Sequence, residues 1–170
     1  MRRTMLLFAA VALLALSLAP IVQAQDGQGK GPVDAGGAPE DFGSEQLINP
    51  GDYPGTCSFP VLLEASGKIK TIELPNGTTL FTFPGLTATL TNPETGTSET
   101  YSVTGANRVL PPDEEGTVVT EVTGRNLLID PEAGFVVASG NFSFAFDEEG
   151  NLVQPLEGEG QLIDVCEALA

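Results

Sequence analysis

Two cysteines, Cys57 and Cys166, constrain this chain more than any other residues. They bracket a stretch rich in threonine, valine, leucine and phenylalanine, so a bond between them encloses almost all of it. Whether they pair depends on where the chain works. It opens with Met1-Arg2-Arg3, followed by an apolar run from Met5 to Ala19, Pro20, and the small-residue site Val22-Gln23-Ala24. That is the three-part pattern of a secretory signal peptide, with cleavage expected after Ala24. The run is shorter than the roughly 20 apolar residues that a spanning helix needs, and no later stretch is long and apolar enough, so no membrane span is expected after cleavage. In an exported chain the two cysteines are expected to form a disulfide. Bridged Cα atoms lie ~4.4–6.8 Å apart, so the first and last strands of the enclosed stretch, or their immediate ends, must be neighbours.

The enclosed stretch has turn clusters every ten residues or so, which is the signature of consecutive β-strands. The reading is Cys57–Ala65, a turn at Ser66-Gly67, Ile69–Leu74, a long strand Thr79–Thr91, then Glu99–Val103 and Arg108–Leu110. After a polar loop come Thr117–Val122, a connection at Thr123–Asn126, Leu127–Ile129, Phe135–Phe146 and a last strand from about Glu157 to Cys166. Only the tail, Val165–Leu169, reads as a helical turn. Two strands change apolar parity. Phe81 and Phe83 are followed by Leu86, Ala88 and Leu90; Phe135 and Val137 are followed by Phe142, Phe144 and Phe146. Side chains alternate along a strand, so each change predicts an inserted residue, at Pro84-Gly85 and at Ser139-Gly140. Bent strands and joined ends predict an all-β antiparallel meander, closed or nearly closed into a barrel. A two-sheet β-sandwich is the alternative. The domain is expected over residues 56–170. Residues 25–55 read as a disordered acidic leader rich in glycine and proline, too poor in apolar surface to offset its ordering entropy. Phe42, Leu47, Ile48 and Tyr53 are its exceptions, able to dock on the domain.

Charge and missing residue types narrow the function classes. The chain carries 7 Lys+Arg against 23 Asp+Glu, a formal charge of −16, and loses two more positive charges with Arg2 and Arg3. A surface this acidic repels nucleic acid and anionic membranes. There is no histidine and no tryptophan. A hydrolase with a histidine base cannot be built, and zinc sites lean on residues this chain lacks. The acidic turns Asp113-Glu114-Glu115-Gly116 and Asp147-Glu148-Glu149-Gly150-Asn151 lack the alternating carboxylates of a calcium loop, so no metal and no cofactor is expected.

Two residues are candidates for binding. Arg125, in Thr123-Gly124-Arg125-Asn126, is one of few positive charges and has the geometry to hold a carboxylate; a structural tie to a turn, or to Asp130 or Asp164, is the commoner role. Asp164 lies between Ile163 and Val165, where a carboxylate in apolar surroundings becomes an acid or base, or faces outward. With carboxylates so abundant, no catalytic pair stands out. An enzyme of this composition would need Asp, Glu, Tyr53, Tyr101 or Arg as its working groups, in an isomerase- or cyclase-like role.

Cys57-Ser58-Phe59-Pro60-Val61, Phe83-Pro84-Gly85, Thr91-Asn92-Pro93 with Thr95-Gly96, Thr123-Gly124-Arg125 and Asp164-Val165-Cys166 together resemble a group of exported bacterial proteins of unknown function. The resemblance covers most of the stretch from Cys57 to Leu169. It implies secretion and an all-β domain, and brings no catalytic residues. The function expected is a non-catalytic binding module for a small apolar ligand or an extracellular partner, with a cell-envelope interaction protein as the alternative.

Overall fold

The computed structural model describes residues 37–170; the expected export signal, the cleavage expected after Ala24 and the first part of the leader lie outside the described residues. Nine strands run β1 (Glu40–Ile48), β2 (Val61–Glu73), β3 (Thr79–Thr82), β4 (Thr87–Thr91), β5 (Ser98–Ser102), β6 (Ala106–Val109), β7 (Val118–Asp130), β8 (Gly134–Phe146) and β9 (Leu152–Asp164), followed by the short helix α1 (Val165–Leu169). All pairings are antiparallel. β3 and β4 lie in line along β2, and β5 and β6 lie in line along them, so the chain is a meander from β1 to β9. The all-β antiparallel expectation holds. The sheet is not closed by hydrogen bonds: among the described strands β9 pairs only with β8, and β5 only with β4.

The ends meet through sulfur instead. Cys57, just before β2, is bonded to Cys166 in α1, with their Cα atoms 5.3 Å apart. α1 forms where a helical turn was expected. Asp164 is its N-cap and accepts the Glu167 amide at 3.0 Å. Val165 and Leu169 are fully buried, and the Asn92 side-chain amide donates to the Leu169 carbonyl at 3.1 Å.

Residues 40–48 correct the disordered-leader reading: they form β1, paired along β2 from Ile69 to Val61. Their composition is too polar to fold alone, but the edge of β2 supplies ladder partners that a local reading does not see. Ile48 is buried, and Phe42 and Tyr53 pack on the same core, while Leu47 stays exposed. The same pairing corrects the expected turn at Ser66-Gly67. β2 runs through it unbroken, with Phe42 opposite Gly67. Thr123–Asn126 is likewise no loop; these residues pair with Asn141–Ala138 within one continuous β7.

The two parity changes have different causes. At Pro84-Gly85 a residue is inserted: between the Ser66–Thr87 and Lys70–Thr82 pairs, residues 67–69 of β2 face residues 83–86. Pro84 and Gly85, the latter at φ 67°, take the central positions of a turn closed by Leu86 N–H to the Phe83 carbonyl. Phe83, Leu86, Ala88 and Leu90 thereby share one core. At Ser139-Gly140 nothing is inserted. The β7–β8 register is unbroken from Val118 opposite Phe146 to Asp130 opposite Gly134. Instead the N-terminal half of β8, Phe135–Ala138, is buried on both faces. Phe135 and Val137 enter a first core with Val61, Leu63, Ala65 and α1; Val136 and Ala138 enter a second with Val122, Leu128, Phe142 and Phe144. Covering both faces of half a strand makes its residues apolar at both parities, which imitates an insertion in the sequence.

The second core requires steep coiling. Leu128 and Phe144 share it, yet Phe144 is opposite Thr120, eight residues from Leu128. In a flat strand that is about 26 Å. The bend falls at a row of glycines across three strands, Gly124 opposite Gly140 opposite Gly160. Gly140 and Gly160 have φ 154° and 156°, and a Cβ on either would overlap the backbone of the next strand. Glycine lets the strands cross this closely where other residues cannot.

Candidate functional site

Arg125 and Asp164 are not brought together. Arg125 lies opposite Ser139 and Gln161, whereas Asp164 lies opposite Val136, so their side chains belong to opposite faces of the sheet. Asp130, opposite Gly134, also lies on the face away from Arg125. Arg125 donates from Nε to Ser139 Oγ at 3.1 Å, and its carbonyl accepts the Gly105 amide. Asp164 is occupied as the cap of α1. The ion pairs among the described residues lie elsewhere, at Lys68–Asp41 and Arg108–Glu121, both on the surface.

The acidic loops fold as local turns. Asp113 Oδ1 accepts the amides of Glu115 and Thr117, and Asp147 accepts the Asn151 amide and side chain. The Asn151 side-chain hydrogen bond, followed by the Asn151 backbone amide, holds the Asp147 carboxyl below its ordinary range. The loops touch, since Gly116 sits against the Glu148 side chain, but no three metal-ligating side chains converge among the described residues. Burial, and then the charge of Glu99, push the Tyr101 phenol up, so it stays protonated at neutral pH.

Asp130 takes a position that its sequence context does not disclose. It is buried, and Oδ1 accepts the amides of Glu132 and Ala133 at 2.9 and 2.8 Å. Those bonds form the turn that Asp-Pro-Glu-Ala-Gly announces. Oδ2 accepts the amide of Leu156, on the far side of the second core, at 3.1 Å. Beside this bond a small opening is lined by Leu128, Ile129, Asp130, Phe144, Leu152 and Leu156, among others. Its volume is about 20 Å³, enough for about one water molecule. Ligand pockets run to roughly 300–1,000 Å³.

The outer edge of β9 is accessible. Residues Glu157–Asp164 are exposed and pair on one side only, with β8. Leu162 and Ile163 are 46% and 39% exposed. Alternation puts Leu162 on one face and Ile163 on the other. The strand itself is predicted by its pattern; its place at the edge is set by the order of pairing, which no local signal carries. No family model, curated protein or solved structure matches the chain.

Proposed function

We propose that this chain is an exported, non-catalytic binding module that meets an extracellular partner through its surface. The carrying observation is the size of the opening on the second core: beside Asp130 it has room for about one water. Recognition by enclosure of an apolar ligand would require β9 to lift from the second core; recognition by the surface requires no rearrangement. The Cys57–Cys166 bond suits an oxidising compartment, in keeping with the signal-like first 24 residues. No helix among the described residues is long and apolar enough to cross a membrane.

The test is cross-linking of the mature chain, Gln25–Ala170, to the envelope and secreted fractions of its source. Any captured partner is then purified and titrated against the chain. Saturable binding to a defined partner is expected. Capture of nothing that titrates would remove the reading.

A further inference from the structure

The β9 edge has two unlike halves. In Leu152–Leu156 the ladder is irregular, with register shifts opposite Ser143–Phe146 and a proline at position 155. Bulges and proline are devices that blunt an edge against a new strand. From Glu157 to Asp164 the register to β8 is unbroken, from Ser143 to Val136, and neither device is present. What this half carries is negative charge. No lysine or arginine follows Arg125 in the chain, while nine Asp and Glu do, including Glu157, Glu159 and Asp164 along this edge.

We propose that Glu157–Asp164 accepts an extended, lysine- or arginine-bearing segment of a partner protein as an added strand. This rests on the binding-module reading and names the partner's chemistry. Main-chain hydrogen bonds to the free edge supply the attachment, as in other strand-addition complexes. The charges supply selection. Glu157 and Glu159 share a face by alternation, so basic side chains at every second position of the incoming strand meet both. Leu162 and Ile163 offer apolar contact on each face at the far end. A second copy of the chain is disfavoured as the occupant, because each copy carries a formal charge of −16 and brings the same acidic edge.

The probe is a capped peptide of alternating lysine and valine, long enough to span Glu157–Asp164, titrated into isotope-labelled mature chain at about 0.15 M salt. Binding should protect backbone amides within Glu157–Asp164 from exchange. The E157K/E159K double variant should weaken it at least about tenfold. E114K/E149K, with the same charge change on the distant turns, should leave it within about twofold. The same peptide N-methylated at alternate residues keeps its charge but loses main-chain donors, and should not bind. Equal binding of the N-methylated peptide, protection elsewhere, self-association of the chain through β9, or no binding at about 1 mM would each overturn the proposal. The two readings fail separately. If a titrating partner from the cross-linking test binds the E157K/E159K variant unchanged, the edge assignment falls and the binding module stands.

Discussion

The Asp130 carboxylate accepts the Leu156 amide at 3.1 Å, across a fold in which a flat sheet would hold them far apart. Leu156 precedes Glu157, which pairs through Ser143 to Glu121, nine residues along β7 from Asp130. That is about 30 Å of extended strand. The bond therefore ties the tip of the β7–β8 hairpin to β9 over the second core. Asp130→Asn keeps the oxygen that closes the local turn but sets an amide donor against the Leu156 N–H. It should cost about 1–3 kcal/mol in denaturant unfolding, with exchange at Leu156 rising more than at Val137. A uniform rise would mean that Asp130 serves the turn alone.

The glycine row at the bend should tolerate little. Alanine at Gly140 meets both an unfavourable φ of 154° and overlap with the backbone of Glu159 and Gly160. Strain and overpacking together predict a loss of about 3 kcal/mol or more. Gly96, at φ 80° with nothing within reach of a Cβ, is the comparison. Its alanine variant should lose only about 1–2 kcal/mol, the cost of the left-handed backbone. Similar losses at both sites in equilibrium unfolding would count against the close crossing.

Reduction of Cys57–Cys166 frees a loop on the order of 100 residues and should remove about 4–5 kcal/mol. The measurement is urea unfolding with and without reductant. Because α1 also hangs on the Asn92 amide, Asn92→Ala should cost a further 1–3 kcal/mol, about the penalty of an orphaned buried carbonyl. If the reduced and oxidised chains unfold at the same denaturant concentration, the bond contributes no constraint.

Asp147 provides a pH test. Its carboxyl is held down first by the Asn151 side chain and then by the Asn151 amide. A lowered folded value means that its contribution to stability is present above the ordinary aspartate range and is lost as pH falls through the lowered value. Side-chain carboxyl titration by NMR should find Asp147 below the ordinary aspartate range. Asn151→Ala should move it back upward. No movement would assign the shift to another cause.

Much of the strand content was legible because it depends on local signals. Alternating apolar residues and the turns at Asn92–Gly96, Asp113–Gly116 and Asp147–Asn151 mark their elements without help from the rest of the chain. So does the helical turn at Val165–Leu169. Two of the errors share one cause. Glu40–Ile48 looked too polar to order, and Thr123–Asn126 looked like a loop, because each is ordered by its pairing with another strand. Arg125 and Asp164 stood out by type, yet register separates them onto opposite faces.

By itself the sequence determined the all-β class, through period-two patterning and turn chemistry, and the cysteine pair that draws the ends together. It also determined the acidity of everything after Arg125. Tertiary structure alone decided that the sheet is not closed by hydrogen bonds, that half of β8 is a middle layer between two cores, and that β9 pairs on one side only. Those outcomes depend on which strands lie side by side and how closely glycine lets them cross. They are sums over contacts between residues far apart in the chain, and no local window contains them.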